Sequence, residues 1–453
     1  MSLIFIMLAD ECRDAGGVKH MLRRELLTGT GLALAAGALG SAPGWSEAVE
    51  PIGAGDWDAV RAQFALIDDF IHMSAMLISS HPKPVRDAIE RHRRAMDANP
   101  LTYLFQNNRR LQETARAAAG QYLGINGSDI ALTDSTTMGL GLVYNGLRLT
   151  PDQEILSTEQ DYYATHEAIR LAGRRSNANV RKISLYDRIE GITAEQLVDR
   201  LTQAITPATR VLALTWVHSS TGLKLPLRGI SEALQQINSR RDEATRVLLC
   251  VDGVHGFGIE DVVLSELGCD FFVAGCHKWL FGPRGTGIVA GTQLGWEAVL
   301  PTIPSFIDSE TWQAWYSGVD PEGPSTASRM TPGGYKAFEH LWSLTEAFGF
   351  HQLIGKTRVA DRTHELAAQL KDGLRAMPHI TLHTPLSKEL SAGIVSFDVE
   401  GHSPGAVVSR LRERRIIASV APYAVPHVRL TPCIQNTSAE MDTVLREIRA
   451  LVS

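Results

Sequence analysis

Lys278 closes the apolar run Asp270-Phe271-Phe272-Val273-Ala274-Gly275-Cys276-His277-Lys278-Trp279, so a strand delivers one amine into a turn with a histidine beside it. Upstream, Val247-Leu248-Leu249-Cys250-Val251-Asp252 is a second buried-type strand that ends in a carboxylate and runs into Gly253-Val254-His255. An amine and a carboxylate at two strand ends are the pair that pyridoxal 5'-phosphate chemistry requires. The lysine condenses with the cofactor aldehyde, and the aspartate keeps the pyridine nitrogen protonated. Taken singly, a lysine after a strand reads as a solvated cap and an aspartate at a strand's carboxyl end as a turn residue. Their order in one chain carries the reading.

Three further segments could serve the same chemistry. Thr133-Asp134-Ser135-Thr136-Thr137-Met138-Gly139-Leu140 follows a strand and opens an apolar helical stretch, so backbone N–H groups and the Thr136 and Thr137 hydroxyls could converge on a phosphate dianion; a plain Ser/Thr N-cap explains the same residues. Asp161-Tyr162-Tyr163-Ala164-Thr165 offers an aromatic face, and His427-Val428-Arg429-Leu430 places a planar guanidinium on a late strand, where it suits bidentate contact with a carboxylate.

The order of these features resembles the class V aminotransferase family of fold-type I enzymes. VDGVHGFG (251–258) stands where that family carries its pyridine-binding aspartate, and AGCHKWLFGPRGTG (274–287) where it carries its cofactor-binding lysine. The likeness runs from about Asp56 to the C-terminus, and TPGGYKAFEHLW (331–342) makes it similar to the isopenicillin N epimerase-like group, including exported relatives. The resemblance implies roles residue by residue. Lys278 is the catalytic amine and Asp252 the ring partner, while Thr136, Thr137 and His277 hold phosphate. Tyr163 covers the ring, Ser219 and His255 approach the phenolic oxygen, and Arg429 takes a substrate carboxylate. Arg329 is a weaker candidate for reaching a neighbouring subunit's phosphate. Where the family often has a phosphate-binding serine, this chain has Gly275. The family's desulfurases carry a cysteine on a loop before the carboxylate arginine, and 415–426 contains none, so persulfide chemistry is disfavoured.

These residues need elements to hold them. Seven apolar, β-branched segments (130–133, 154–157, 180–183, 211–217, 247–252, 271–274 and 286–290) alternate mostly with amphipathic helical stretches such as 193–204 and 230–239. Continuous rather than alternating apolar strands mean a sheet covered on both faces, hence a mostly parallel, seven-stranded αβα sandwich with its ligand outside the strands' carboxyl ends. A long helix over 335–372 and shorter strands at 380–382, 393–398, 416–420 and 427–430 predict a smaller C-terminal α/β domain. The expected organisation is a leader at 1–48, a large cofactor-binding domain with an N-terminal arm at 49–330, and a small domain at 331–453. By resemblance, a homodimer is implied.

With 453 residues, 44% hydrophobic, the chain has material for both domains. A formal net charge of −6 leaves no footprint for nucleic acid, and the basic clusters 91–94 and 412–415 read as solvated helix faces. The first fifty residues differ: Arg23-Arg24-Glu25-Leu26-Leu27, a Gly/Ala-rich apolar run over 28–42 and Ser46-Glu47-Ala48 resemble a twin-arginine export signal, so a periplasmic location is expected, with cytoplasmic as the alternative and Met21 as a possible start. The apolar run is too short for a membrane span. The cysteines after the leader, Cys250, Cys269, Cys276 and Cys433, lack CxxC spacing, so neither a metal site nor a disulfide framework is expected. The combined expectation is a pyridoxal 5'-phosphate enzyme acting at the amino-bearing carbon of an amino acid or peptide-like substrate, as aminotransferase or epimerase. Elimination at a C–S bond and an exported, non-catalytic binding protein are the alternatives.

Overall fold

The structure, a computed structural model, describes residue 53 and residues 55–451. Its centre is a seven-stranded sheet of β1 (Ile130–Thr133), β2 (Glu154–Thr158), β3 (Asn179–Ile183), β4 (Thr209–Thr215), β5 (Leu248–Asp252), β6 (Phe271–Gly275) and β7 (Gly287–Gly291). The strand order is β1-β7-β6-β5-β4-β2-β3, and β7 alone runs antiparallel to its neighbours. Every residue of β1, β2, β5, β6 and β7 is buried, which accounts for their unbroken apolar character. Separate apolar cores flank the sheet: Leu212, Leu249 and Phe272 belong to one, and Val211, Cys250 and Phe271 to the other, as strand alternation requires. The carboxyl ends of β1, β2, β4, β5 and β6 therefore open on one edge, which collects the segments beginning at Asp134, Glu159, Trp216, Gly253 and Cys276.

The helices that matter here are α1 (Lys83–Ala98), α2 (Pro100–Leu123), α3 (Thr136–Gly146), α4 (Tyr163–Ser176), α5 (Ala194–Ala204), α6 (Leu227–Asn238), α7 (Phe338–Trp342), α8 (Leu344–Ile354), α9 (Lys356–Arg375), α10 (Pro404–Glu413) and α11 (Ser438–Arg449). Helix α3 can lie close on the sheet because Gly139 has no Cβ; one placed there would meet Val273 at 2.5 Å.

The single helix expected over 335–372 is three helices. The chain turns at Ser343 and again at Gly355, whose φ of 97° is open to glycine at little cost, so α7 and α8 pack against α1 and α2 while α9 sets off in a new direction. A smaller antiparallel sheet, β10-β11-β9-β8, follows from β8 (Ile380–Leu382), β9 (Val395–Val399), β10 (Ser419–Val420) and β11 (Val428–Leu430). One face buries Val395, Phe397, Val428 and Leu430 against Leu366, Leu370 and Leu374 of α9 and Met441, Val444 and Ile448 of α11. The strand expected over 416–420 divides: Ile416–Ile417 pairs in parallel with Ile71–His72, and only Ser419–Val420 joins β11.

The other face of the small sheet meets the turn that follows β4. Ser396 Oγ and Thr384 Oγ1 donate hydrogen bonds to the carbonyls of Ser220 (2.7 Å) and Thr221 (2.6 Å) in the turn after β4. The four cysteines at 250, 269, 276 and 433 are buried and unpaired. Among the described residues, no helix is long and apolar enough to cross a membrane.

Candidate active site

Asp252 ends β5 and Lys278 follows β6, its parallel neighbour, so sheet geometry brings the two together from residues 26 apart in sequence. Burial raises the Asp252 carboxyl to about 6; the Val254 N–H, donated to Oδ1 at 3.1 Å, and the charge of Lys278 oppose that rise. Burial lowers the Lys278 amine to about 8, with Asp252 resisting and Arg429 adding to the fall. Each group thus stands closer to neutrality than in water, which suits a site where protons change hands.

The turn that presents Lys278 is held from several sides. Ser79 donates from Oγ to the carbonyls of His277 (3.0 Å) and Lys278 (2.7 Å), the Phe281 N–H donates back to the Lys278 carbonyl, and Phe281 itself adopts φ 55°. A bulky residue in the left-handed region is a strained choice that the surrounding contacts must enforce. His255 lies 3.4 Å from Lys278 Nζ through Nε2, and its Nδ1 accepts the Trp279 indole N–H at 3.3 Å. An imidazole accepting at Nδ1 carries its own hydrogen at Nε2, so His255 turns a donor toward the lysine. Burial keeps this imidazole uncharged by pushing it well below its ordinary value.

An anion cradle adjoins the lysine. Helix α3 begins at Thr136, and the Ser135 hydroxyl takes the Met138 N–H, leaving the earlier N–H groups of the first turn pointing outward. Thr136 Oγ1 accepts the Gly275 N–H at 2.8 Å and keeps its own hydrogen to donate. A Cβ on Gly275 would come within 3.0 Å of Thr136 Oγ1 and of the His277 ring, so glycine here keeps the space open. His277 Nδ1 is buried without a partner among the described residues. Thr137 lies exposed at the same helix end. An orphaned imidazole nitrogen, a free hydroxyl hydrogen and a helix N-terminus around a vacant Cβ position suit a phosphate, and with Asp252 and Lys278 alongside, the set fits pyridoxal 5'-phosphate.

Arg429 reaches the site from β11 and is 1% exposed. Its Nη1 donates to the Ser219 carbonyl (2.8 Å), Nη2 to the Val420 carbonyl (3.0 Å) and Nε to Ser419 Oγ (3.3 Å). No carboxylate lies within ion-pair distance of this guanidinium among the described residues, and burial lowers it to about 10. Tyr423, from the loop between β10 and β11, hydrogen-bonds Ser219 Oγ at 2.8 Å and meets Tyr162 at a tilt of 58°, with ring centroids 5.9 Å apart.

Several expectations change. Tyr163 is 69% exposed, whereas Tyr162 faces Tyr423 and Arg429; the ring turned toward the site is one residue earlier than expected. The cause is Asp161, whose carboxylate accepts from Ser157, Thr158 and the Thr215 N–H and so fixes which way the loop leaves β2. Ser219, expected to approach the phenolic oxygen, is buried with its hydroxyl engaged by Tyr423. Arg329 is bound to Asp308 and Glu310 and to carbonyls of its own loop, which leaves it no reach toward a second subunit. Tyr423 and Asp161 escaped the sequence reading. A tyrosine shortly before the Arg429 strand was the sole signal for the first, and a carboxylate just after an apolar strand for the second.

The family profile described as Aminotransferase class-V matches residues 78–432. The isopenicillin N epimerase of Streptomyces clavuligerus is 27% identical over 409 residues, covering 87% of this chain and 98% of the relative. A cysteine desulfurase of Klebsiella pneumoniae is 26% identical over 368 residues, covering 75% of this chain and 83% of the relative. Among solved structures, the cystine C–S lyase C-DES in complex with cysteine persulfide superposes with a TM-score of 0.75 at 21% identity, covering 85% of this chain and 99% of that one; the likeness is one of fold.

Proposed function

The chain belongs to the class V aminotransferase family of pyridoxal 5'-phosphate enzymes, and from that premise we propose that it acts at the amino-bearing carbon of an amino acid or peptide-like substrate, by transamination or epimerisation. When bound, the cofactor supplies an electrophilic carbon and an electron sink for charge developing at the substrate α-carbon. The protein's residues do the rest. Thr136, His277 and the α3 N-terminus hold the phosphate. Asp252 keeps a proton at the ring nitrogen. Tyr162 and Tyr423 wall the site on the side of the small sheet. Lys278, its basicity moderated by burial, takes the α-proton, while the Nε2–H of His255 stays directed at the space beside the amine.

The observation that carries this reading is Arg429, a buried guanidinium with two unused N–H donors and no carboxylate partner among the described residues, close enough to Lys278 to perturb it. A buried cation of this kind calls for an anion, and a substrate carboxylate beside the amine supplies it. The similarity to isopenicillin N epimerase supports a peptide-like substrate. The similarity to cysteine desulfurases supports a second reading, elimination of a sulfur-bearing group, although 415–426 lacks the cysteine that persulfide transfer uses.

Incubating the holoprotein in D2O with a panel of amino acids and small peptides, and reading α-deuterium, keto acid and released thiol together, tests the proposal. Deuterium entry with inversion indicates epimerisation, keto acid indicates transamination, and thiol release supports the second reading. Arg429→Lys, which keeps charge and loses the fork, should lower kcat/KM roughly 10- to 100-fold with cofactor absorbance retained. Absence of all three products across the panel would overturn the assignment.

A further inference from the structure

Three side chains that commonly ligate metals meet on the small sheet, apart from the candidate active-site residues. His383 follows β8, Asp398 lies on β9 and His427 precedes β11, on three neighbouring strands. His383 Nε2 is 2.8 Å from Asp398 Oδ2, and His427 Nδ1 is 2.9 Å from Oδ2 and 3.1 Å from Oδ1. One ligand atom from each residue lies within 4.8 Å of the others, and the two imidazole rings overlap with centroids 3.9 Å apart.

We propose that His383, Asp398 and His427 form a binding site for a divalent transition-metal ion of the zinc class. Two imidazoles and one carboxylate are a donor set that such ions take, and three protein ligands leave a position for water. Tetrahedral ligands at about 2.0–2.1 Å from an ion stand roughly 3.3 Å apart, so the two histidine–aspartate spacings of 2.8 and 2.9 Å need to open by roughly half an ångström. Asp398 sits within β9, and His383 and His427 adjoin strand ends where the His383 N–H bonds the Ser396 carbonyl (2.9 Å) and the His427 carbonyl accepts the Ala421 N–H (2.8 Å), so the backbone at all three is held before any ion arrives. Side-chain exposures of 18% for His383, 36% for Asp398 and 10% for His427 give an ion a way in and water a place to bind.

Without an ion, the carboxylate accepts a hydrogen bond from each ring, so both facing nitrogens carry hydrogen. The ion replaces those two bonds, and each ring moves its proton to its other nitrogen. The ion would then clamp β8, β9 and β11 at one point. His427 lies two residues from Arg429 on the same face of β11, so the clamp steadies the strand that carries the buried guanidinium. Sequence gave no warning of the site, since its members stand 15 and 29 residues apart with none of the spacing by which metal motifs are recognised.

The test uses tag-free holoprotein stripped with chelator and titrated with zinc alone by calorimetry and with cobalt(II) alone by visible absorbance. One equivalent per chain is expected, with cobalt spectra of a four- or five-coordinate site and a higher Tm in the presence of zinc. His383→Gln, at a partly exposed position, and Asp398→Asn, which keeps side-chain volume, should each weaken binding at least about tenfold with cofactor absorbance and circular dichroism unchanged. Wild-type protein that binds neither ion, or variants that bind both as the wild type does, would overturn the proposal.

Discussion

Lys278 is where opposing effects meet: burial drives its amine toward neutrality, while Asp252 pulls it back toward the charged form and the balance settles near 8. In the cofactor-free protein, the unfolded chain holds a proton that the folded chain lacks between about pH 8 and 10.5. Stability from this group therefore rises with pH across that window, and its full penalty is present below it. Lys278→Met should accordingly raise the Tm of cofactor-free protein at pH 7, by up to about 3 kcal/mol in stability, and the gain should shrink as pH climbs from 8 toward 10.5. Thermal unfolding across that range checks it; a constant gain would show that packing rather than charge is responsible. The meeting of Asp252 and Lys278 was legible in the sequence because one ends a strand and the other stands in the turn after the next, and parallel pairing fixes where those strand ends go. Tyr162 and Tyr423 were not, because which of two adjacent tyrosines turns inward depends on the hydrogen bonds of Asp161 to β4, a contact between segments 54 residues apart.

At the scale of elements, the segment joining β5 to the lysine turn depends on close backbone approach. Gly258 has φ 94°, and a Cβ there would meet backbone atoms of Trp279 and Leu280 at 2.7 Å. Gly285, in the same lysine-bearing segment, has φ 71° with nothing within 4 Å of its Cβ position. Gly285→Ala should therefore cost only about 1 kcal/mol. Gly258→Ala should cost about 3 kcal/mol or more and lower cofactor affinity as well, since it displaces the turn that presents Lys278. Comparing the two by denaturant unfolding and cofactor titration separates a backbone preference from a collision; equal losses would contradict this account. The seven central strands were readable because unbroken β-branched runs admit few alternatives. The long C-terminal helix was misread, because apolar periodicity runs through Ser343 and Gly355 while packing of α7 and α8 on α1 and α2 bends the chain there.

At the scale of the molecule, an aromatic patch stands exposed on the Ser309–Ser317 helix and beside it, comprising Phe306, Trp315 and Tyr316, linked through the Trp312 ring. A patch of that kind marks an interaction surface, and we propose a homodimer in which a second copy covers it. Sedimentation should show a dimer, converted to monomer by Trp315→Asp with little change in secondary structure; a monomeric wild type would contradict this. The segment expected to be a twin-arginine leader, 1–48, lies outside the described residues. We propose export on the strength of Arg23 and Arg24, and changing both to lysine should abolish the protein's appearance in the periplasm; unchanged export would refute the proposal. Strands, turns and both sheets converge on one lysine, so the most direct test is chemical. Borohydride reduction of the holoprotein followed by peptide mapping should place a single pyridoxyl-phosphate mass on the peptide containing Lys278; an adduct on another lysine, or none at all, would contradict the account.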